Sequence, residues 1–406
     1  MLFDSARHEA LTQIDWDEGI ARQTIARIVA DTRAKFDPET YWPAHPLDDE
    51  GSTATLTPLY HGAGGVFWAL AYLESTGAAS PGADLRPHYA PLLSRNRAWL
   101  QADTGHRAIS SYLMGDTPIL MLDYGRHPSA ALAERIATLI EANLNNPTRE
   151  LMWGSPGTLL AARFLHERDG DARWAELFRR TADTLWSALL WSPEHHCHYW
   201  RQDLYGSRFT FLDGVHGFVA TAAPLIAGRH LLDDASWEKW RACIVNTIGR
   251  TAVSEGGHAN WPVMLYPEDN RAPAWLMQFC HGAPGFVICL AQMPDASLDA
   301  LLQAAGEAIW AAGPLRKGSN LCHGTGGNGY AFLALYRRTG DATWLDRARA
   351  FAMHGIAQTD AAQRRHGQLR YSLWTGDPGF AIFLWDCVQG TASFPTLDVF
   401  YGAAAR

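Results

Sequence analysis

The chain has 406 residues, 47% of them hydrophobic and 19% charged, which is enough apolar material for a large core and argues against a disordered chain. A formal net charge of -8 argues against a basic nucleic-acid-binding surface as the main function, so no nucleic-acid partner is expected. No run of 18 or more apolar residues occurs, so no membrane-spanning helix is expected, and the polar start Met1 to Glu9 lacks the apolar centre of a secretory signal, which points to a cytoplasmic protein.

In chain order, the first predicted element is an amphipathic stretch near Ile20 to Phe36, placed to close a ring or to cover its mouth. From about residue 55, short glycine clusters follow, each leading into an apolar run. They begin with His61-Gly62-Ala63-Gly64-Gly65, Gly115-Asp116-Thr117-Pro118 and Gly154-Ser155-Pro156-Gly157. His216-Gly217-Phe218-Val219-Ala220 and Gly282-Ala283-Pro284-Gly285 come next, then Gly324-Thr325-Gly326-Gly327 and Gly376-Asp377-Pro378-Gly379. The seven clusters are spaced 53, 39, 63, 65, 42 and 52 residues apart, the period of a supersecondary repeat rather than of separate domains. The expectation is one repeat-built domain over 1–406, with 1–54 as an N-terminal helical extension.

A second signature keeps step with the first. Asp171-Ala172-Arg173-Trp174, Asp234-Ala235-Ser236-Trp237 and Asp341-Ala342-Thr343-Trp344 each begin 17 residues after the first glycine of their cluster. Between the two signatures the chain is apolar all round, as in Tyr330 to Tyr336, which predicts a helix buried on both sides. After the second, apolar residues at 344, 345, 348, 351 and 352 alternate with charges, which predicts a one-faced outer helix from Trp344 to Gly355 with Asp341 as its N-cap. Seven such pairs give an all-α fold. Closed, they form an α/α toroid of about seven inner and seven outer helices; left open, they form a solenoid.

Two of the clusters carry metal-type residues, Cys280-His281 and Cys322-His323, in adjacent repeats. If equivalent positions of stacked repeats become neighbours, two thiols and at least one imidazole converge, a set that suits zinc. Cys280, Cys322 and His323 would make three ligands and leave a position open, the catalytic pattern; His281 as a fourth would close it. Two thiolates cancel the charge of the ion, so such a site suits binding and deprotonating a thiol better than activating water. His216 stands at the position equivalent to His61, His281 and His323, where an imidazole can trade protons. The remaining cysteines, at 197, 243, 289 and 387, are expected to be reduced and buried.

Cys-His-Gly-Ala-Pro-Gly at 280–285 and Cys-His-Gly-Thr-Gly-Gly-Asn-Gly-Tyr-Ala-Phe-Leu at 322–333 resemble the lanthionine synthetase C-like family, most nearly its stand-alone eukaryotic members. The resemblance extends to Val215-His216-Gly217, to Glu150 through Gly154 and to Tyr371 through Gly379, and covers nearly the whole chain from about residue 55. It implies the toroid, with zinc on Cys280, Cys322 and His323 and His281 turned away from it. It implies addition of a thiol to the β-carbon of dehydroalanine or dehydrobutyrine, forming a thioether; the thiol is a peptide cysteine in bacterial cyclases and glutathione in the eukaryotic relatives. The implied partners are a dehydrated peptide or protein, glutathione, and a separate dehydratase or kinase-type enzyme in trans.

By matching motif, the resemblance makes His216 the acid that protonates the α-carbon and Glu150 a residue that orients a histidine or relays protons. Lys317 matches a lysine near the thiol substrate, and Arg364, Arg365 and Arg370, read as a loop before the seventh repeat, are further candidates for binding a carboxylate of glutathione. The chain departs from the family pattern at Phe279, where tryptophan is usual and an aromatic wall is expected to remain, and at Ala220, which replaces a repeat glycine. Two other readings compete with this one. A non-catalytic zinc- and glutathione-binding scaffold would keep the metal for structure, and a toroidal carbohydrate-active enzyme would need a carboxylate pair, for which Glu150 and Asp213 are the candidates.

Overall fold

In the computed structural model, which describes residues 2–48, 55–104, 108–267 and 275–402, each glycine cluster opens a helix. These helices are α2 (Ala63–Ser75), α4 (Thr117–Arg126), α6 (Ser155–Asp169), α8 (Phe218–Ala227), α10 (Ala283–Leu290), α12 (Thr325–Thr339) and α14 (Asp377–Gln389). Each packs on the next and α14 packs on α2, so the seven close into a ring and the open solenoid is excluded. Their all-round apolar character follows from that position. In α12 every residue from Thr325 to Leu335 is buried, because neighbours flank it on both sides and an outer helix covers its back.

Six outer helices alternate with them: α3 (Tyr89–Thr104), α5 (Ala130–Asn143), α7 (Ala172–Ser187), α9 (Asp234–Thr251), α11 (Asp299–Ala312) and α13 (Ala342–His366). They are one-faced; α7 buries Trp174, Leu177, Phe178, Thr181 and Leu185 and turns its charges outward. The seventh outer helix is α1 (Glu18–Ala34), from the stretch expected to be an extension. It lies on α14 with Ile25, Ile28 and Val29 buried, and the Tyr371 hydroxyl ties it in by donating to Asp31 at 2.7 Å. The all-α toroid is thus completed by chain that precedes the first glycine cluster.

The Asp-Ala-x-Trp signature does what its residue types suggest, with two corrections. Asp171 and Asp341 accept the Arg173 and Thr343 amides as N-caps, and Trp174 and Trp344 are buried behind them. In α9 the preceding residue, Asp233, takes the cap by accepting the Ser236 amide, so Asp234 is already in the first turn. Helix α13 does not stop at Gly355 but runs to His366. Gly355 is there because a Cβ would lie 2.6 Å from the Phe380 ring of α14, so the glycine serves helix packing and not termination.

The connections before the inner helices form a belt at one end of the ring. The belt residue stands two positions before the first glycine of each cluster: Tyr60, Leu113, Met152, Val215, Cys280, Cys322 and Trp374. Backbone hydrogen bonds join these loops from repeat to repeat. Trp374 donates to Tyr60 at 3.0 Å, Tyr60 to Leu113 at 3.0 Å, Leu113 to Met152 at 3.3 Å, and Leu151 to Val215 at 3.1 Å. Cys280 donates to Cys322 at 3.0 Å and Cys322 to Trp374 at 2.8 Å. Between the fourth and fifth repeats the backbones approach instead, since a Cβ on Gly214 would lie 2.5 Å from the Phe279 carbonyl oxygen. The same tightness explains the glycine that recurs inside five of the seven helix starts. A Cβ at Gly327 would meet the Leu321 carbonyl oxygen at 2.0 Å, and one at Gly379 would meet that of Leu373 at 1.8 Å.

Among the described residues, four short antiparallel hairpins are inserted in the connections from α7 to α8 and from α9 to α10. They are β1 (Leu190–Ser192) with β2 (Cys197–Tyr199), β3 (Gln202–Leu204) with β4 (Ser207–Phe209), β5 (Val253–Glu255) with β6 (His258–Asn260), and β7 (Met277–Gln278) with β8 (His281–Gly282). No helix among the described residues is long and apolar enough to cross a membrane.

Candidate functional site

The belt brings the two Cys-His motifs together. With the Cys280 amide bonded to the Cys322 carbonyl, equivalent residues of the fifth and sixth repeats stand side by side. The two Sγ atoms and an imidazole nitrogen of His323 all lie within 4.8 Å of one another, and both cysteines are buried. His281 follows Cys280 but turns to another partner, its Nδ1 standing 2.6 Å from Asp213 Oδ2. Gly282, at φ +104°, takes the left-handed backbone that this departure needs, and a Cβ there would strike the Leu276 carbonyl oxygen at 1.9 Å. Three of the four candidate ligands therefore converge.

Both sulfurs accept hydrogen bonds. The Tyr60 hydroxyl donates to Cys322 Sγ at 3.0 Å, and the Gln278 amide donates to Cys280 Sγ at 2.9 Å. Burial pushes the Cys280 thiol up, whereas hydrogen bonds from the Cys280 thiol and the Tyr60 hydroxyl hold Cys322 below the usual thiol range despite its burial. The two thiols stand within reach of one soft divalent cation. Two sulfurs supplied with donors, plus one imidazole, fit a metal of that kind.

Beside this group are two histidine–carboxylate pairs. His216 Nδ1 is 2.8 Å from Glu150 Oε2, and His281 pairs with Asp213; both carboxylates are fully buried. The two imidazole centroids are 6.4 Å apart, with the Phe211 ring near each. Local capping fixes the carboxylates. Glu150 accepts the Met152 and Trp153 amides, and Asp213 accepts those of Val215 and His216. Burial alone would lower the pKa of His216, but the hydrogen bond and charge of Glu150, then Asp213 and Cys280, outweigh it and hold the imidazole above its ordinary value. His281 is raised in the same way, against burial, chiefly by Asp213. Glu150 and Asp213 are each engaged by a histidine and by loop amides, so they do not form the free acid–base pair that glycoside cleavage requires.

The expected thiol-binding residues are dispersed. Lys317 is exposed in the loop before Cys322, and its charge favours the Cys322 thiolate. Arg370 exerts the same pull, but Asp48 holds its guanidinium, accepting from Nε at 2.7 Å. Arg364 and Arg365 lie in the last turn of α13, exposed, and not in a loop; the helix continues past Gly355 and carries them to the outer ring. Phe279 is no wall of the site. It is fully buried and stacked on Phe394 at 4.4 Å, so an aromatic ring at this position serves the core.

Several residues at the site stood out less in the sequence. Tyr60 and Gln278 reach the sulfurs, and Asp213 serves a histidine instead of pairing with Glu150. Gln278 had a signal: it occupies the register of Glu150, Asp213 and Asn320, two residues before the belt. Tyr205, at the tip of the β3–β4 hairpin, had none. It is 70% exposed, accepts the Trp153 indole hydrogen bond at 3.2 Å and stands 6.3 Å from the His216 ring.

The family profile described as lanthionine synthetase C-like protein matches residues 20–399. The chain is 37% identical over 155 residues to the protein named glutathione S-transferase LANCL1 of Danio rerio, which covers 34% of this chain and 36% of that one. It is 34% identical over 137 residues to LanC-like protein GCL1 of Arabidopsis thaliana, covering 30% of each. The aligned segments therefore span only about a third of these relatives' length.

Proposed function

The chain belongs to the lanthionine synthetase C-like family, and on that premise we propose that it is a zinc-dependent enzyme that adds a thiol to dehydroalanine or dehydrobutyrine residues to form a thioether. The observation that carries the reading is the convergence of Cys280, Cys322 and His323 within 4.8 Å beside the His216–Glu150 pair. Glutathione is the favoured thiol, because one similar protein is named a glutathione S-transferase. A dehydrated peptide or protein is the other substrate, supplied by a separate enzyme.

Cys280, Cys322 and His323 would hold the zinc ion. When bound it supplies the positive charge that keeps an incoming thiol as its thiolate at neutral pH. The chain's own residues do the rest. Lys317 adds a cation on the approach to Cys322. The substrate sulfur bonds to the β-carbon of the alkene, the π pair moves to the α-carbon, and that carbon takes a proton from the imidazolium of His216. Glu150 fixes His216 by its Nδ1, which leaves Nε2 as the nitrogen that gives the proton. Asp213 orients His281 in the same fashion, its ring centroid 6.4 Å from that of His216.

Mass spectrometry of the zinc-loaded protein mixed with glutathione and a dehydroalanine peptide tests the proposal. The peptide should gain the mass of glutathione with wild type, and Cys322→Ala should lose both bound zinc and the product. A wild-type protein that holds zinc but forms no adduct would favour the binding scaffold.

A further inference from the structure

The residue two before the belt has a regular role in this ring. Glu150, Asp213 and Asn320 each accept the amide three residues on, from Trp153 at 2.5 Å, His216 at 2.8 Å and His323 at 3.0 Å. Gln278 holds the same register in the fifth repeat and does something else, since its Nε2 donates to Cys280 Sγ at 2.9 Å. Its orientation is not free. Gln278 is buried, and its Oε1 accepts from Arg7 Nη2 at 3.4 Å; a guanidinium offers only donors, so the amide nitrogen must face the sulfur. The second sulfur is served from the far end of the chain. The Tyr60 hydroxyl reaches Cys322 Sγ across the ring closure, with its loop pinned between Leu113 and Trp374 by backbone hydrogen bonds. Two unrelated repeats thus each direct one donor to one sulfur.

This acquires a purpose under the thioether-forming reading, on which it rests. Such a site brings an electrophilic alkene near three sulfurs, and only the sulfur of the substrate should react. If a ligand added instead, its Sγ would bond to the β-carbon and the π pair would move to the α-carbon and take a proton from water. The sulfur would give up the metal and nothing would leave, so the enzyme would be alkylated and dead. A hydrogen bond to a thiolate withdraws charge from it and lowers its nucleophilicity. We propose that Gln278 and Tyr60 are positioning residues for chemoselectivity: each caps one ligand sulfur, Cys280 and Cys322 respectively, and keeps it a ligand while the uncapped substrate thiolate adds to the alkene.

Alkylation of the zinc-loaded protein by N-ethylmaleimide, an alkene acceptor that needs no turnover, tests this directly. Adducts at Cys280 and Cys322 are followed by peptide mapping, and released zinc by a chromogenic chelator, in wild type, Gln278→Met and Tyr60→Phe. Both variants keep the bulk of the side chain and lose the donor. Gln278→Met should speed alkylation at Cys280, and Tyr60→Phe at Cys322, each about threefold to tenfold, with zinc release in step. Unchanged rates, or equal acceleration at both ligands or at the buried Cys289 and Cys387, would overturn the proposal, because general loosening does not choose one sulfur. A wild type that fails to form thioethers but shows this crossed pattern would sink the catalytic reading and leave the caps standing.

Discussion

Glu150 has two tasks that a single carboxylate can combine only where it sits. One oxygen accepts the Trp153 amide, while the other accepts the Met152 amide and holds His216 Nδ1. Its hydrogen bond and negative charge, with help from Asp213 and Cys280, outweigh burial and raise the His216 pKa. For stability, a folded-state pKa above the unfolded value means that the pair contributes fully below about pH 6.5 and that the contribution is lost as pH rises through the raised value. In the proposed reaction the imidazolium is the proton donor, so the rate should fall on that same alkaline limb. Glu150→Gln keeps an acceptor for only one of the two loop amides and removes the charge, so the alkaline limb of kcat/KM should move to lower pH; a limb that stays in place would separate His216 from the chemistry. His216→Asn should lower the rate by about 10²–10⁴-fold at unchanged zinc content, the usual range for a positioned acid.

The inner-helix start is the element on which the ring is built, and its glycines are there for closeness. Gly379 leaves no room for a methyl group, with a Cβ 1.8 Å from the Leu373 carbonyl oxygen. The fourth repeat manages with Ala220, whose equivalent neighbour six residues back is Gly214. Denaturant unfolding should show Gly379→Ala destabilised by about 1–3 kcal/mol, even though alanine is the better helix former. Ala220→Gly should cost only about 0.5–1 kcal/mol, and equal costs would contradict the close-approach account. These elements were legible because the clusters repeat and because Asp171 and Asp341 announce the outer helices. Helix α1 was not legible as the seventh outer helix, since no glycine cluster precedes it and its partner α14 lies some 340 residues on. The end of α13 is not legible in the sequence, because Gly355, a glycine made for Phe380, looks like a stop.

At the scale of the molecule, ring closure turns a periodic sequence into a site. The belt places Cys280 and Cys322 in adjacent loops, so the sequence alone could propose them as neighbours. What it could not propose depends on closure or on loop turns. Tyr60 meets Cys322 only because the first repeat follows the seventh, and Arg370 meets Asp48 only because α1 and its following segment wrap the same seam. The toroid thus gives a metal-type group with a carboxylate-paired histidine nearby, and the account as a whole depends on that group accepting a thiol. Absorption of the cobalt-substituted protein tests this most directly. Two thiolates give a sulfur-to-cobalt charge-transfer band, and glutathione should strengthen it by about half as a third thiolate joins an open position. A spectrum unchanged at saturating glutathione would show a closed structural site and contradict the account.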